Sequence, residues 1–460
     1  MELLLIGGSD AGISAALAAR QINPAIRPTI VLADQYPNFS ICGLPFYLSG
    51  EVGDWKTLAH RDLAAIEAQG ITVKPGHRCT AIDPIKKTAS LNTPSGDSQT
   101  MAWDKLVLCT GARSTTPQID GLDLPGVFCL RWMDDAFVIE EFITLKKPKS
   151  IIIIGAGYIG MEIADAMTRR GLAVTVMEYA PSVLSTLDPD MGGLVRSELE
   201  NNGVTVLTGI SAKGIRQHEN RLVVDARPSG GKDIEVAGDM VLVATGARPQ
   251  TEPGLSAGIE TGFSGAIRVN SRMETNLADI YAAGDCAETR HRLLDRNLWL
   301  PLGTTAHKQG KVAGENAAGK KSQFAGCLGT QCVKIFSLVA ARTGLKQSEA
   351  EAEGFSPLSA DIRVPDHKAY YPGAKDLCIR ITGDAETGKL LGAQIVGAHG
   401  TEVSKRIDIF AAALHHFMGV NEICDLDLSY TPPLSSPWDP VQMAAAGWEE
   451  MRAEKSKPIP

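Results

Sequence analysis

The sequence places one cysteine, Cys42, in a position that is typical of a reactive thiol. Cys42 comes after a predicted strand and is followed closely by Gly43 and Pro45, which places the thiol at a corner between a strand and a helix. Pro45 suits a first helical turn, because there its missing N–H costs no hydrogen bond. The positive end of a helix dipole favours the thiolate, which is the reactive form. A buried structural cysteine is the alternative that these neighbours leave open.

Two glycine-rich loops are predicted to bind dinucleotides. The first is Gly7-Gly8-Ser9-Asp10-Ala11-Gly12, which has Ser9 where the usual pattern has its middle glycine. The second, Gly155-Ala156-Gly157-Tyr158-Ile159-Gly160, is a complete G-x-G-x-x-G. Each loop joins a predicted strand to a predicted helix, over residues 13–21 and 161–170, so that a helix N-terminus faces a pyrophosphate. A strand-helix-strand unit with an ordinary glycine turn is the alternative for each.

An acidic residue follows each loop at the end of the next predicted strand. Asp34 lies 22 residues after Gly12, and Glu178 lies 18 residues after Gly160. At such separations a carboxylate accepts hydrogen bonds from the ribose of a bound dinucleotide. No arginine directly follows Glu178 to receive a 2′-phosphate, which favours NADH over NADPH.

Three further strand ends carry glycine beside a polar residue, at Thr110-Gly111, Thr245-Gly246 and Gly284-Asp285. Glycine lets the backbone pass close to a ligand, and Asp285 can accept hydrogen bonds from ribityl or ribose hydroxyls. Thr304 and Thr305 are predicted to cap a helix over residues 306–317 whose N-terminus faces an electron-rich ring.

Composition limits the class of protein. A length of 460 residues predicts about three domains. A net charge of −8 without a long basic run argues against nucleic-acid or anionic-membrane partners, and no apolar run reaches transmembrane length. The first residues predict a strand rather than a signal peptide. Nine scattered cysteines do not make a disulfide framework, so a reducing cytoplasm is expected. No metal site is predicted.

The texture of the chain changes after about residue 326, where shorter strands are predicted over 331–337 and 377–382. Helices are predicted over 401–417 and 440–451, with a frayed tail over 454–460. Earlier in the chain, a helix is predicted over 58–69.

These motifs, in this order, resemble the pyridine-nucleotide–disulfide oxidoreductases from residue 1 to about residue 447. The segment Phe39-x-x-Cys42-Gly43-Leu44-Pro45-Phe46-Tyr47 resembles the single-cysteine branch of that family, which holds coenzyme A-disulfide reductases, persulfide reductases and NADH oxidases or peroxidases. Further likenesses are Pro301-Leu302-Gly303-Thr304-Thr305-Ala306, Tyr370-Tyr371-Pro372-Gly373 and Leu428-Ser429-Tyr430-Thr431-Pro432-Pro433.

The resemblance implies an α/β fold with two Rossmann-like domains and a C-terminal α+β dimerisation domain. The FAD-binding domain would span 1–113 and 248–325, the NAD(P)H-binding domain 114–247, and the interface domain with its tail 326–460. The first glycine loop, Asp34, the Thr110-Gly111 and Gly284-Asp285 strand ends and the helix after Thr305 would serve FAD, and Thr245-Gly246 is a further cofactor-binding strand end. The second glycine loop and Glu178 would hold NADH, with Glu162 near the nicotinamide. A homodimer is implied, in which Tyr370 or Tyr371, and Tyr430, line the partner subunit's site.

Three positions depart from the family's pattern. Asn38 stands where serine is common, and Asp34 lies eight rather than ten residues before the cysteine. Asp10 occupies the place where the oxidase branch commonly has histidine, which counts against an oxidase or peroxidase. Tyr47 takes the place of a second cysteine, so Cys42 cannot form the internal disulfide of the two-cysteine members.

A lone thiolate stores electrons either as a mixed disulfide with a small thiol or as a sulfenate. The sequence therefore predicts an FAD-dependent, NADH-using reductase of a small-thiol disulfide, a persulfide or a related sulfur compound. Substrate contacts are assigned to Asn38 and Ser40, and the phosphates of coenzyme A, if it is the thiol, to Arg20, His60 and Arg61. The alternatives are an NADH oxidase or peroxidase, and a flavoprotein that reduces a protein partner or senses redox state.

Overall fold

The computed structural model describes residues 1–455. Its strands, in chain order, are β1 (Glu2–Ile6), β2 (Arg27–Val31), β3 (Thr72–Lys74), β4 (Arg78–Asp83), β5 (Thr88–Asn92), β6 (Ser98–Ala102), β7 (Lys105–Leu108), β8 (Ala112–Ser114), β9 (Val127–Cys129), β10 (Ser150–Ile154), β11 (Ala173–Glu178), β12 (Thr205–Thr208), β13 (Ile210–His218), β14 (Arg221–Pro228), β15 (Ile234–Gly238), β16 (Met240–Val243), β17 (Ala247–Pro249), β18 (Ile280–Ala282), β19 (Thr289–His291), β20 (Arg296–Leu298), β21 (Gln331–Ile335), β22 (Leu338–Gly344), β23 (Pro357–Pro365), β24 (Asp376–Asp384) and β25 (Leu390–Ala398).

The α-helices are α1 (Asp10–Ile22), α2 (Leu44–Ser49), α3 (Leu63–Glu67), α4 (Met133–Lys146), α5 (Tyr158–Arg169), α6 (Pro189–Asn201), α7 (Glu252–Ser256), α8 (Gly303–Ala317), α9 (Gln347–Ala352), α10 (Val403–His415), α11 (Val420–Cys424) and α12 (Pro440–Lys455). Two 3₁₀ turns, Ile41–Gly43 and Trp55–Leu58, flank α2. None of the helices within residues 1–455 is long and apolar enough to cross a membrane.

The first parallel sheet has the strand order β18-β7-β1-β2-β3. After Glu2, its central strand β1 is a run of buried aliphatic side chains, as expected for a parallel strand covered on both faces. Helices α1 and α8 pack against each other beside this sheet. Because β18 joins strands that precede residue 109, the chain leaves this sheet and returns to it after more than a hundred residues.

The second parallel sheet has the order β12-β11-β10-β16-β9, and β10 is again an apolar run, Ile151–Ile154. The chain passes between the two sheets through β8 and β17, which pair antiparallel with Arg113 opposite Arg248. The two crossings therefore lie side by side at the residues where the domain boundaries 113 and 248 are predicted. The three-stranded antiparallel sheets β4-β5-β6 and β13-β14-β15 are additions to this frame.

The third large sheet is antiparallel, in the order β21-β22-β25-β24-β23, and helices α10 and α12 pack on it. Trp448 of α12 is fully buried and its indole N–H donates to the carbonyl oxygen of Leu358 at 2.7 Å. Gly383 makes room for this ring, since a Cβ there would lie 2.5 Å from it. Two parallel sheets followed by an α+β unit confirm the predicted fold class.

Several predicted elements differ from the structure. The helix predicted over 58–69 is a 3₁₀ turn and the short α3, because Asp62 caps α3 by accepting from the Ala65 N–H at 2.8 Å. Helix α12 continues to Lys455, so the first two residues of the predicted tail are helical, and 456–460 lie outside the described residues. The predicted capping by Thr304 and Thr305 is wrong: α8 begins at Gly303, three residues before the predicted start at residue 306, and both threonines lie in its first turn.

Candidate active site

The segment around Cys42 is held by backbone hydrogen bonds to a second segment, residues 58–60. The Ser40 N–H donates to the Leu58 carbonyl at 2.8 Å, and the His60 N–H donates to the Asn38 carbonyl at 2.9 Å. Cys42 itself lies in the 3₁₀ turn, immediately before α2, with Pro45 in the first turn of that helix. The predicted corner before a helix is therefore present, and the two paired segments fix where the thiol stands.

Asn38 links this segment to the first glycine loop. Its N–H donates to the Gly8 carbonyl at 2.9 Å, and its side chain is almost fully buried. Arg61 donates to its side-chain oxygen at 3.5 Å. The backbone of Asn38 is left-handed, with φ at 57°. Asparagine adopts this conformation more readily than most side chains, which gives a physical reason for asparagine at this position.

The chain's own charges oppose ionisation of Cys42. The residue is accessible to solvent, yet burial by the surrounding walls raises the pKa of its thiol. The charges of Glu162, Asp10 and Asp285 raise this pKa further, and that of Arg131 lowers it. The expectation that the start of α2 makes Cys42 a ready thiolate is therefore wrong for the chain's own groups, because burial and three carboxylates raise its pKa and one arginine lowers it.

Glu162 is a second carboxylate that acts on Cys42. It projects from α5, the helix that follows the second glycine loop, and α5 packs against α2. Burial raises the pKa of Glu162 to about 7; Lys334 lowers this pKa and Asp165 raises it. Asp165 in turn accepts from the Phe336 N–H at 2.9 Å, which ties α5 to the third sheet. The structure thus brings Asp10 of the first glycine loop and Glu162 of α5 to the same thiol.

Arg131 was not predicted from the sequence. It lies two residues after the end of β9 and forms an ion pair with Asp285 at 2.5 Å, with both side chains largely buried. It is the one cation among the charges acting on Cys42. Its position at the carboxyl end of a parallel strand, the edge where α/β sheets bind ligands, was the available signal. That signal was missed because β9 has only three residues.

Both glycine loops have the geometry of cradles for a nucleotide. A Cβ on Gly12 would lie 2.0 Å from the Gly7 carbonyl oxygen, and a Cβ on Gly160 would lie 2.0 Å from that of Gly155. These glycines allow the helix to start against the strand. By contrast, nothing in the chain lies within 4 Å of a Cβ built on Gly157, so the missing side chain there leaves space that the protein does not fill. The loops therefore fit the dinucleotides that the sequence predicts.

The two predicted ribose acids lie beside the loops. Glu178 folds across the second loop, where its carboxylate accepts from the Ala156 N–H at 2.6 Å and the Ala180 N–H at 2.7 Å. Asp34 accepts from the Tyr36 N–H at 2.8 Å, and burial raises its pKa. Backbone donors thus orient both carboxylates, from its own strand end in Asp34 and from its own strand end and the second glycine loop in Glu178.

The Thr-Gly strand ends hold the two crossings together. The Thr110 hydroxyl donates to the Gln250 carbonyl, and the Thr245 hydroxyl donates to the Thr115 carbonyl at 2.7 Å. Gly111, Gly246 and Gly284 all have positive φ. The Gly284 N–H donates at 2.9 Å to the side chain of Gln309, a fully buried residue of α8 that was not predicted.

Other predicted residues lie apart from the thiol. The Arg20 guanidinium donates to the carbonyls of Gln69, Pro24 and Ile26, so it holds the end of α1. The three tyrosines are exposed on the unit built on the third sheet: Tyr370 at 73%, Tyr371 at 43% and Tyr430 at 44%.

Comparisons with known proteins cover the whole of this architecture. Residues 1–310 match the family model described as pyridine nucleotide-disulphide oxidoreductase, and residues 330–440 match the dimerisation domain of that family. The CoA-dependent NAD(P)H sulfur oxidoreductase of Pyrococcus furiosus is 33% identical over 449 residues, covering 96% of this chain and 98% of that protein. An NADH oxidase of Methanocaldococcus jannaschii is 32% identical over 447 residues, covering 97% and 98%. The solved structure of an NAD-dependent persulfide reductase from A. fulgidus has a TM-score of 0.94 at 33% identity, covering 100% of this chain and 85% of that one.

Proposed function

Because the chain belongs to the pyridine nucleotide-disulphide oxidoreductases, we propose that it reduces a small-thiol disulfide or a persulfide with NADH through a mixed disulfide on Cys42. The observation that carries this proposal is that the first glycine loop and the helix after the second glycine loop both lie beside one accessible thiol. The charges of Asp10, in the first loop, and of Glu162, in α5, both act on Cys42. Tyr47, where a second cysteine would stand, leaves the thiol without an internal partner.

We assign one cofactor to each glycine loop and the residues beside it. The first loop, Asp34, Thr110, Gly111, Gly284, Asp285 and the start of α8 would hold FAD; the second loop, Glu178, Thr245 and Gly246 would hold NADH, with NADPH as the alternative. When bound, FAD and NADH supply the two electrons that reduce a disulfide. The domain boundaries predicted above, at 113, 247 and 325, follow this division.

Cys42 would do the sulfur chemistry. Its thiolate attacks one sulfur of the substrate, the substrate S–S bond breaks, and one small thiol leaves. Two-electron reduction of the resulting mixed disulfide releases the second small thiol and regenerates Cys42. Arg131, the one cation acting on the thiol, stabilises its ionised form against the surrounding carboxylates.

Coenzyme A is a candidate for the small thiol, because a CoA-dependent relative covers nearly the whole chain. Asn38, Ser40, His60 and Arg61 lie on the two paired segments beside Cys42 and would meet the substrate there. Arg20 is bound to backbone carbonyls, so we place less of the phosphate recognition on it. The exposed tyrosines would complete the site of a partner subunit in a homodimer. All nine cysteines are free thiols, which supports a reducing, cytoplasmic setting.

Replacing Cys42 by serine tests the mechanism. We expect Cys42→Ser to keep its FAD spectrum and to lose NADH-dependent disulfide turnover, because the hydroxyl cannot form a mixed disulfide. Cys332→Ser is a matched control, since Cys332 is also solvent-accessible but lies in β21. A Cys42→Ser variant with full turnover would refute the proposed mechanism. The intact mass of the oxidised protein would identify any thiol on Cys42.

An NADH oxidase is the second candidate, since a relative of that name covers almost the whole chain. It would pass through a sulfenate on Cys42 rather than a mixed disulfide. NADH consumption with oxygen alone, compared with consumption after a disulfide or persulfide is added, separates the two. We expect slow consumption with oxygen and rapid consumption with the sulfur compound.

A further inference from the structure

A carboxylate and a histidine from two crossing helices form a pair beside the Cys42 site. Helices α1 and α8 approach closely because α8 carries Gly310 and Gly314; Cβ atoms there would lie 2.2 Å and 2.0 Å from backbone carbonyls of α1. This crossing brings the His307 Nε2 atom to 3.5 Å from the Asp10 Oδ1 atom. The other ring nitrogen of His307 lies 2.9 Å from the Ser14 hydroxyl, so the ring is held from both sides.

Asp10 faces inward and lacks a full set of partners. Its side chain is 20% exposed, and within residues 1–455 its buried Oδ1 atom accepts no hydrogen bond of normal geometry. Burial raises the pKa of Asp10, His307 and His60 lower it, and Asp285 raises it. A carboxyl with a raised pKa and an unsatisfied oxygen is suited to holding and releasing a proton.

His307 connects this carboxyl to solvent. Its side chain is 49% exposed, and its ring centroid lies 6.5 Å from that of His60, on the loop that pairs with the Cys42 segment. The loop that carries Asp10 also contacts the Cys42 segment, because the Asn38 N–H donates to the Gly8 carbonyl at 2.9 Å, and the charge of Asp10 raises the pKa of the thiol. The groups therefore form a sequence from solvent through His307 to Asp10 and on to the reacting sulfur.

We propose that Asp10 is the acid–base group that exchanges a proton with the small thiol released at Cys42, and that His307 is its positioning residue and its link to solvent. The inference rests on the proposed function. When an S–S bond at Cys42 breaks, the leaving sulfur carries away the bonding electron pair as a thiolate. It takes the proton of the Asp10 carboxyl, and Asp10 is reprotonated from solvent by way of His307. Over the cycle, NADH, one proton and one disulfide give NAD⁺ and two thiols.

The dependence on the leaving group tests this inference. An aliphatic thiolate such as that of coenzyme A is a poor leaving group whose departure a proton donor assists, whereas the low-pKa thiolate of 5,5′-dithiobis(2-nitrobenzoate) leaves readily without that assistance. We expect Asp10→Asn to lower kcat/KM by about 100-fold for coenzyme A disulfide and by less than about threefold for the aromatic disulfide. Asp123→Asn, at an exposed aspartate, is the matched control.

Two further readouts distinguish proton exchange from a structural role. Asp10→Asn removes a negative charge near the thiol, so the pH midpoint of Cys42 alkylation, followed by peptide mass spectrometry, should move to lower pH. His307→Gln removes a charge that lowers the pKa of Asp10, so the alkaline fall of kcat/KM should move to higher pH. His218→Gln, at an exposed histidine at the end of β13, should move neither.

Equal losses for both disulfides, with an unchanged alkylation midpoint, would overturn the inference and leave Asp10 a structural residue. FAD content of each variant identifies misfolding, and His307→Asn provides a second, milder variant. The outcome is separate from that of Cys42→Ser, because turnover by that variant would remove the mixed disulfide itself, whatever Asp10 does.

Discussion

At the scale of single residues, the site is a balance of charges around one sulfur. Three carboxylates raise the pKa of Cys42 and one guanidinium lowers it. A neighbouring charge shifts a pKa most where water is excluded, so burial around Cys42 strengthens the effect of each of these charges on the pKa of the thiol. The thiol is thus set to need an added positive charge, a hydrogen-bond donor or a bound cofactor before it ionises readily.

The contribution of Glu162 to the pKa of Cys42 can be measured. Glu162→Gln removes its negative charge and should lower the pKa of Cys42, so that alkylation of Cys42 reaches half its maximal rate at a lower pH. The rate of alkylation follows the thiolate fraction, which rises with pH. Glu67→Gln, at an exposed glutamate of α3, is the control. An unmoved midpoint in Glu162→Gln would show that Glu162 does not act on the thiol.

At the scale of elements, the glycines of the two loops divide by what a side chain would meet. Gly12 and Gly160 are needed by the fold, because a Cβ there would overlap backbone oxygens. Gly157 is not needed by the fold, since the space beside it is free of protein atoms. The first kind of glycine packs a helix on a strand, and the second leaves room for a ligand.

Gly157→Ala therefore separates binding from stability. We expect an unchanged melting temperature and a KM for NADH raised by about 10-fold or more, because a methyl group enters the space meant for the pyrophosphate. Gly193→Ala, in α6 and also without neighbours within 4 Å, is the control and should leave the KM unchanged. A loss of stability in Gly157→Ala without a change in KM would contradict the assignment.

At the scale of the whole molecule, a single chain leaves three tyrosines and Cys42 accessible to solvent. Residues 330–440 match a dimerisation domain, so we expect a second copy of the chain to cover these residues. In a twofold dimer each site would combine Cys42 of one subunit with the tyrosines of its partner.

Mixed dimers test this arrangement. A heterodimer of a Cys42→Ser subunit with a Tyr371→Phe/Tyr430→Phe subunit has one site with both wild-type components. If the tyrosines act across the interface, the heterodimer purified after co-expression should have about half of the wild-type activity, although each parent dimer is impaired. Activity no higher than the mean of the two parent dimers would place the tyrosines in their own subunit's site or outside it.

The fold class, the family and the candidate nucleophile of this protein could be predicted from the sequence. The two glycine loops, the acids that follow them and the apolar strands β1 and β10 are local patterns, because each depends on residues within about thirty positions of one another. They predicted the fold class and the family correctly. Cys42 was predicted by its own neighbours, Gly43 and Pro45, which fix the turn before α2.

Only the tertiary structure decided the chemistry around the thiol. Arg131 meets Asp285 from 154 residues away, and His307 meets Asp10 from 297 residues away. Burial and Coulomb interactions act through space and sum over every element that packs nearby, so no local pattern contains their result. For that reason the sequence by itself determined which residue is the candidate nucleophile. Only the fold decided that the pKa of Cys42 is raised rather than lowered, and only the fold placed Asp10 and His307 together as the proposed proton-exchanging pair.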